Sequence, residues 1–209
     1  MSPPEIEIIE GLSGRSEFND AAMVAARAFY SDPFYVNLAP PSFKRTRALA
    51  IFARSILKNL GPKGRIFTAR IEGEIVGVAA WVGPGGYPYG VAQQLKVLAG
   101  NFRAFAFLPQ AARPGFAYLG AIDKAHPKGE LWYLALLTVD PEHQRAGIGS
   151  RLIAPIIEQC TTEGLDAYLE TQKEENLAYY RRHGFDLVDR LEPVSGGPPL
   201  WTMRRVIKG

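Results

Sequence analysis

The segment VDPEHQRAGIGSRL, from Val139 to Leu152, places two glycines two positions apart in a basic loop, directly ahead of an apolar helical pattern. It follows LWYLALLTV (131–139), a nearly continuous apolar run that predicts a strand covered on both faces. After Gly147, apolar residues recur at spacings of three and four as far as Cys160, which predicts a helix that buries the cysteine. The segment is therefore predicted to be a glycine-rich turn between a buried strand and a helix.

Glycines in such a turn let the backbone approach a ligand closely, since a Cβ atom would hold the ligand away. The first N–H groups of a helix lack intrahelical partners and carry partial positive charge, so they can bind a pyrophosphate. Arg145 and Arg151 add charge beside this helix start. A dinucleotide-binding fingerprint would need a third glycine in place of Leu152, and a Walker loop would need Gly-Lys-Ser/Thr. The glycine spacing alone leaves open an ordinary strand-to-helix turn with a glycine N-cap.

The rest of the chain alternates between strand and helix signals. RIFTARI and EIVGVAAWV flank Glu72-Gly73 and predict a β-hairpin. The other predicted elements are strands at 5–9 and 166–171, helices at 17–30, about 42–59 and about 174–182, and strands in FDLVDRLEPV and PLWTMRRVI. An insert of roughly residues 84–130, helical over 90–110, lies between the hairpin and the strand at 131–139. This order predicts an α/β fold with a mixed sheet of about seven strands.

Length and composition favour one intracellular domain. The 209 residues, 47% of them hydrophobic, suffice for a single core spanning 1–209. With 24 basic and 21 acidic residues and dispersed arginines, the chain is not expected to bind nucleic acid. Cys160, the single cysteine, agrees with a reducing compartment, and MSPPEIEIIEG lacks the layout of a signal peptide. Because no apolar run approaches the ~18 residues of a membrane span, we expect a cytoplasmic protein without a membrane partner.

Two motifs in the second half of the chain resemble the signatures of the GNAT acyltransferase superfamily. QRAGIG (144–149) resembles its Q/R-x-x-G-x-G/A signature, here preceded by V-D-P-E-H. NLAYYRRHGF (176–185) resembles the second hallmark, an Asn and then a Tyr four residues before Gly-Phe. The resemblance is sharp from about 131 to 190 and elsewhere covers only the order of elements. It implies the GNAT fold, a mostly antiparallel sheet whose fourth and fifth strands splay apart to admit acyl-CoA.

The resemblance implies acetyl-CoA as co-substrate. Its pantetheine arm would pair like an extra strand with the backbone of Leu137, Thr138 and Val139. The predicted contacts in the glycine loop are Gln144, Arg145, Ala146, Gly147, Ile148, Gly149 and Ser150. Asn176 would hydrogen-bond the pantetheine arm or the adjoining backbone, and a polar residue that starts a helix is the alternative reading.

Acyl transfer to an amine requires a neutral amine, a polarised thioester carbonyl and a stabilised thiolate. A backbone N–H near Leu137 could polarise the carbonyl. Tyr180 occupies the family's general-acid position, where a phenol can protonate the departing thiolate, with a core tyrosine as the alternative. Many relatives carry a glutamate where this chain has Tyr133, so Glu170 becomes the candidate base. A structural hydrogen bond of Glu170 and proton transfer to water remain the alternatives.

The acceptor site in this superfamily is built from the first two helices, their connection and the strand ends facing the cofactor. This predicts a pocket rich in aromatic rings, suited to an apolar or planar acceptor or to a cationic amine. The candidate acceptor contacts are Phe29, Tyr30, Asp32, Phe34, Trp81 and Tyr133. Asp32 could bind an ammonium group or simply cap the turn ahead of Pro33, and core packing is the alternative for the aromatic residues. The histidines lack metal-ligand spacing, so no metal is expected.

The leading interpretation is an acetyl-CoA-dependent N-acetyltransferase that acts on a primary amine of a small molecule by direct attack. Two alternatives are an acetyltransferase for a peptide or protein amine and a non-catalytic acyl-CoA-binding sensor. The insert at roughly 84–130 is expected to form either a lid or the contact of a homodimer.

Overall fold

Strands and helices alternate along the described part of the chain. The computed structural model describes residues 5–38, 43–106 and 108–208. Within these ranges the strands are β1 (Glu7–Glu10), β2 (Gly64–Ile71), β3 (Glu74–Val82), β4 (Trp132–Val139), β5 (Ala167–Thr171), β6 (Asp186–Leu191) and β7 (Leu200–Arg205). The helices are α1 (Gly14–Phe29), α2 (Pro33–Leu38), α3 (Phe43–Lys58), α4 (Val91–Phe105), α5 (Ala112–Ala125), α6 (Ile148–Glu163) and α7 (Glu175–Arg181). One-turn 3₁₀ helices lie at Pro109–Ala111 and Pro141–His143.

The strands form one mixed sheet in the order β1-β2-β3-β4-β5-β7-β6. Neighbouring strands are antiparallel except β4 and β5, which run parallel. The connection between β4 and β5 passes through α6, because parallel neighbours need a long crossover. The predicted α/β fold with a mixed, mostly antiparallel sheet of seven strands is confirmed.

The hairpin of β2 and β3 turns at Glu72 and Gly73. Both residues have positive φ angles, 52° and 83°, as a two-residue type I′ turn requires. Glycine adopts this conformation without steric cost, whereas Glu72 does so against its preference. The predicted hairpin is confirmed, with Ile71 paired to Glu74.

The side chains of β3 alternate between two cores on opposite faces of the sheet. Ala79 and Trp81 pack on the side of α6, whereas Val78 and Ala80 pack on the side of α1 and α3. This alternation follows from the period of two in a strand. Trp81 is fully buried in the α6-side core. It therefore belongs to the core rather than to the acceptor pocket predicted from the sequence.

Helices divide the insert and the α1–α3 connection more finely than the sequence predicted. The helical stretch expected over 90–110 is α4, which ends ahead of Pro109. Helix α5 follows, and Pro114 lies in its first turn, where the missing amide hydrogen breaks no helical hydrogen bond. The short helix α2 was not predicted. Its amide at Phe34 donates to Asp32 Oδ1 at 2.9 Å, and Pro33 occupies its first position. Among the described helices, none is long and apolar enough to cross a membrane.

Candidate active site

The two parallel strands at the centre of the sheet part after three residue pairs. In the described residues, β4 pairs with β5 only from Trp132 to Leu134. On its other side, β4 has a bulge at Ala135, because Trp81 pairs with Leu134 and Ala80 pairs with Leu136. A bulge bends a strand and increases its twist. The segment from Ala135 to Val139 therefore turns away from β5 and opens the splay expected between these strands.

The glycine loop connects the end of β4 to the start of α6. Gly147 is the N-cap of α6 with a φ of 75°, and Arg145 also adopts the left-handed conformation with a φ of 64°. The helical hydrogen bonds begin with Arg151 N–H donating to the carbonyl of Gly147 at 3.2 Å. The three preceding amides, 148–150, stand at the positions where a helix leaves N–H groups without intrahelical partners. The loop can therefore present these amides to an anion.

An ion pair that the sequence analysis missed fastens this loop to α1. Arg27 donates from Nε to Asp140 Oδ2 at 2.6 Å, and its Nη2 lies 2.5 Å from the same oxygen. The other oxygen of Asp140 accepts from Glu142 N–H at 3.3 Å. Gln144 adds a further tie by donating from Nε2 to the carbonyl of Val139 at 3.1 Å. Since 113 residues separate Arg27 from Asp140, no local pattern indicates the pair.

Side chains around the start of α6 contact the protein rather than open space. Arg151 donates from Nη2 to the carbonyl of Ile6 at 2.6 Å, and its position beside a bound pyrophosphate stays a prediction. Ser150 Oγ and His183 Nε2 are 2.9 Å apart. A Cβ atom at Gly149 would stand 2.9 Å from Tyr179 Oη. A side chain at position 149 would therefore require Tyr179 to shift, because α7 packs closely against the helix start.

A cavity of about 670 Å³ brings eight of the nineteen predicted site residues together, whereas the predicted glycine loop 144–150 lies outside its lining. It is lined by the residues of β4 at the bulge, by the ends of β5 and α7, and by α1–α3, α4 and α5. The predicted residues that line it are Phe29, Asp32, Phe34, Tyr133, Leu137, Glu170, Asn176 and Tyr180. One space thus connects the predicted cofactor side and the predicted acceptor side.

Tyr30 lies outside the lining of this cavity, unlike Phe29 and Asp32. The guanidinium group of Arg45 lies over its ring, 5.2 Å from the ring centroid. Arg45 Nη1 also donates to the Tyr30 carbonyl at 2.9 Å. Tyr30 is thereby part of the packing between α1 and α3 rather than of the predicted acceptor pocket.

Glu170 places a carboxyl group inside the cavity, near the end of β5. Burial raises the pKa of Glu170 to about 8, and the hydroxyl groups of Tyr133 and Tyr168 counteract this rise only in part. Among the described residues, Glu170 Oε1 is enclosed without a hydrogen-bond partner. A carboxylate with a pKa near neutrality and an unsatisfied oxygen facing a cavity can accept a proton from a ligand.

Aromatic rings from distant segments surround Glu170. Tyr133 packs against Tyr87 at 5.3 Å and against Tyr168 at 6.1 Å between ring centroids. The ring of His126 lies 4.9 Å from Tyr133 and 5.0 Å from Tyr168. Burial lowers the pKa of His126 to about 4, so its ring is neutral at physiological pH. These rings exclude water and supply the low-polarity environment that raises the pKa of Glu170.

Tyr180 and Asn176 project from α7 to line the same cavity. Burial, with a smaller contribution from Tyr179, raises the pKa of the Tyr180 phenol, so the hydroxyl group remains protonated. Asn176 donates from Nδ2 to Thr171 Oγ1 at 2.9 Å and ties the start of α7 to the end of β5. The two residues lie one helical turn apart and therefore share a face of α7.

Asp32 adopts the capping role that the sequence offered as one alternative, and ammonium binding, the other, stays a prediction. It caps α2, as described above, and it also lines the cavity. Lys173 Nζ lies 3.6 Å from Asp32 Oδ2. Burial raises the pKa of Asp32, while the Lys173 ammonium and the Phe34 amide act in the opposite direction. Within the described ranges, no group of three His, Cys, Asp or Glu side chains is arranged to hold a metal ion.

A comparison with known families covers most of the chain. Residues 23–185 match the sequence profile of the acetyltransferase (GNAT) family. The chain belongs to the GNAT acetyltransferase family. The matched range includes the splay, the glycine loop and α7, so the recognition made from the two motifs is confirmed. Membership supports acyl transfer as the chemistry of this acetyltransferase.

Solved structures of acetyltransferases share the fold. A protein from Corynebacterium glutamicum described as histone acetyltransferase HPA2 and related acetyltransferase matches with a TM-score of 0.70 and 23% identity, over 97% of each chain. The polyamine N-acetyltransferase of Drosophila melanogaster matches with a TM-score of 0.60 and 15% identity, over 95% of this chain and 99% of its own. The ribosomal-protein-S18-alanine N-acetyltransferase of Escherichia coli matches at 0.54 and 15%, over 97% of each chain. At these identities the likeness concerns the fold alone.

Proposed function

We propose that this GNAT acetyltransferase transfers an acetyl group from acetyl-CoA to a primary amine of a small molecule by direct attack. The observation that carries the proposal is the shared cavity, which is lined by Glu170, by Tyr180 and by the bulged segment of β4. A proton acceptor, a proton donor and unpaired strand backbone thus border one space. These are the groups that acyl transfer to an amine requires.

The residues around the splay fit acetyl-CoA as co-substrate. The backbone of Leu137–Val139 has no β5 partner in the described structure and can pair with an extended pantetheine arm. The loop from Gln144 to Ser150 would hold the pyrophosphate on its amides, helped by the positive end of the α6 dipole. Asn176 borders the same opening from α7. When bound, the co-substrate supplies the acetyl thioester, whose carbonyl a β4 amide near Leu137 would polarise.

Glu170 is proposed as the general base. An alkylammonium group with a pKa of ~10.4 must lose a proton before the amine can attack. Transfer to a carboxylate with a pKa of about 8 costs roughly 3 kcal/mol, whereas transfer to an ordinary glutamate would cost roughly 8 kcal/mol. Burial among Tyr133 and Tyr168 therefore makes Glu170 a far better proton acceptor than an exposed carboxylate.

Tyr180 is proposed as the general acid. Because its pKa is raised, its hydroxyl group stays protonated and can donate to the sulfur of the departing thiolate. Burial also raises the pKa of a thiol that is formed in the same environment, which keeps the two groups matched for proton transfer. The bond from nitrogen to the acetyl carbon forms as the bond from carbon to sulfur breaks. The proton of the Tyr180 hydroxyl group passes to the sulfur, and the nitrogen releases the proton that it must lose to become an amide, which restores the hydroxyl group.

The volume of the cavity supports a small-molecule acceptor over a protein surface. The cavity volume of about 670 Å³ lies within the range of ~300–1,000 Å³ typical of small-molecule sites. Asp32, Asp123, Glu170 and Arg45 border it, and Asp32 already lies beside Lys173, so Asp123 and Glu170 are the carboxyl groups that suit a cationic amine. The fold does not distinguish a small-molecule acceptor from a protein acceptor, because the Drosophila polyamine enzyme and the Escherichia coli ribosomal-protein enzyme named above share it. The preference for a small molecule therefore depends on the shape of the cavity.

The proposal is tested by release of free CoA thiol from acetyl-CoA with arylamines, aminoglycosides, polyamines, amino acids and short peptides. We expect Tyr180→Phe to lower kcat by about 10²-fold or more while the Kd for acetyl-CoA, measured by calorimetry, stays unchanged. Wild-type kcat/KM should rise with pH through an apparent pKa near 8, because Glu170 must be ionised to accept a proton, and Glu170→Gln should lose this rise.

Tyr30→Phe is the matched control, since it removes a phenol hydroxyl outside the cavity. It should retain the wild-type rate. Wild-type kcat in Tyr180→Phe would contradict the assigned acid. Acetyl-CoA binding without thiol release across the whole panel would favour the sensor, and turnover of peptides alone would favour a macromolecular acceptor.

A further inference from the structure

Helix α4 exposes a stripe of large apolar side chains. Val91, Leu95, Leu98 and Phe102 are spaced by four, three and four residues and therefore share one face of the helix. Their exposed fractions are 75%, 61%, 48% and 70%. We call these four residues the α4 stripe. Exposed apolar residues are ordinary when scattered, but a continuous stripe of this kind marks a binding surface.

The opposite face of α4 is the one that packs on the protein. A Cβ atom at Gly100 would overlap the side chain of Ser55 on α3, so the two helices touch at this glycine. Ala104, on the same side of the helix as Gly100, is buried. At 100° per residue, Gly100 and Ala104 point away from the α4 stripe. The stripe therefore remains uncovered because α4 is docked by its small residues, not by its large ones.

The α4 stripe continues into the candidate active site. Val91, Leu95 and Leu98 line the cavity that also contains Glu170. Phe116 of α5, which is 41% exposed, lines it as well. One end of this space is thus apolar and reaches solvent, whereas carboxyl groups border the interior.

We propose that the acceptor is a primary amine on a long apolar chain, whose amine lies at Glu170 and whose chain lies along the α4 stripe and Phe116. This inference rests on the proposed function and specifies its substrate class. A ligand of this kind places its charge beside carboxyl groups and removes the exposed apolar surface from water. A second protein copy fits less well, because covering Val91, Leu95 and Leu98 would obstruct the same cavity.

The test measures CoA thiol release with straight-chain primary amines from propylamine to octylamine, below their micelle concentrations. Each methylene group that the stripe buries should raise kcat/KM about fourfold. Linear diamines of the same lengths should lack this gain, since their second ammonium group would lie on apolar surface. In addition, 1-octanol, which has the chain without the amine, should compete with octylamine.

Variants separate the stripe from the rest of the helix. Leu95→Gln combined with Leu98→Gln should lower kcat/KM for octylamine about tenfold and leave propylamine unchanged. Lys96→Gln, an exposed position of α4 outside the cavity lining, is the matched control and should change neither value.

Three results would overturn this inference while leaving acetyl transfer intact. The first is turnover that does not depend on the chain length of the amine. The second is a defect of the Leu95→Gln, Leu98→Gln variant that is seen with octanoyl-CoA and propylamine instead of with octylamine. The third is a dimer that this variant dissociates while the dependence on chain length stays the same. Silence with every amine despite calorimetric binding of acetyl-CoA would instead overturn the proposed function, and this inference with it.

Discussion

Single residues at the splay owe their chemical character to their surroundings. Glu170 is an ordinary carboxylate by composition, yet its pKa rises to about 8 because the fold encloses it beside Tyr133 and Tyr168. Gly147 is required for its backbone conformation, with a φ of 75° and no atom within 4 Å of an added Cβ. Gly149 has an ordinary φ, and a Cβ atom there would stand 2.9 Å from Tyr179 Oη.

Glu170 should make the stability of the protein depend on pH. Its folded-state pKa of about 8 lies above the ordinary glutamate value of 4.5, so the folded state binds the proton more tightly. The associated stabilisation is fully present below pH 4.5 and is lost as pH rises toward 8, at about 1.4 kcal/mol per unit. Glu170→Gln, which resembles the protonated form, should therefore gain a few kcal/mol over wild type between pH 5 and pH 8.5 in urea unfolding. An equal difference at both pH values would contradict the raised pKa.

Gly147→Ala should lower the free energy of unfolding by about 1–2 kcal/mol, because a residue with a Cβ pays this cost in the left-handed conformation. Gly120→Ala is the matched control. Gly120 lies within α5, also with no atom within 4 Å of an added Cβ, but without a positive φ, so alanine should stabilise the helix by up to about 1 kcal/mol. Urea unfolding of both variants measures the contrast, and a stabilised Gly147→Ala would exclude the left-handed N-cap.

At the scale of elements, the loop before α6 is held in place by α1. Arg27 on α1 pairs with the largely buried Asp140, which itself bonds to the amide of Glu142 in the following turn. The N-terminus of α6 and the end of β4 are thereby fixed relative to the α1 side of the sheet. If this loop holds the pyrophosphate, as proposed, an anchor of this kind preorganises it for binding.

Arg27→Gln should weaken acetyl-CoA binding severalfold and lower the free energy of unfolding by about 1–3 kcal/mol, because it leaves the Asp140 carboxylate buried without its cation. Arg190→Gln breaks the exposed pair with Glu192 and should cost well under 1 kcal/mol. Calorimetry and urea unfolding measure the two effects. If Arg27→Gln matches Arg190→Gln in both, the ion pair does not position the loop.

At the scale of the whole molecule, the cavity is assembled from parts of the chain that are far apart in sequence. The first helices supply Phe29, Asp32 and Phe34, the splayed strands supply Tyr133 and Glu170, and α7 supplies Asn176 and Tyr180. The insert adds the apolar rim through α4 and α5. The insert therefore lines the candidate active site, and its expected role as a lid or as a dimer contact stays a prediction.

The sequence by itself determined the order of elements, the mixed sheet, the hairpin turn at Glu72-Gly73 and the glycine-rich start of α6. Each of these depends on local regularities: a period of two or 3.6 residues, or a glycine where φ is positive. The division of the insert into α4 and α5 was predicted only in part, because the apolar residues on the exposed face of α4 follow the same pattern as a buried helix face.

Only the tertiary structure decided that Trp81 lies in the core, that Arg27 pairs with Asp140, that Arg151 contacts Ile6, and that burial changes the pKa of Glu170. These features depend on which residues from distant segments meet, and on how much water their meeting excludes. A short window of sequence encodes neither these long-range contacts nor the exclusion of water, because both arise when the strands and helices pack around one core.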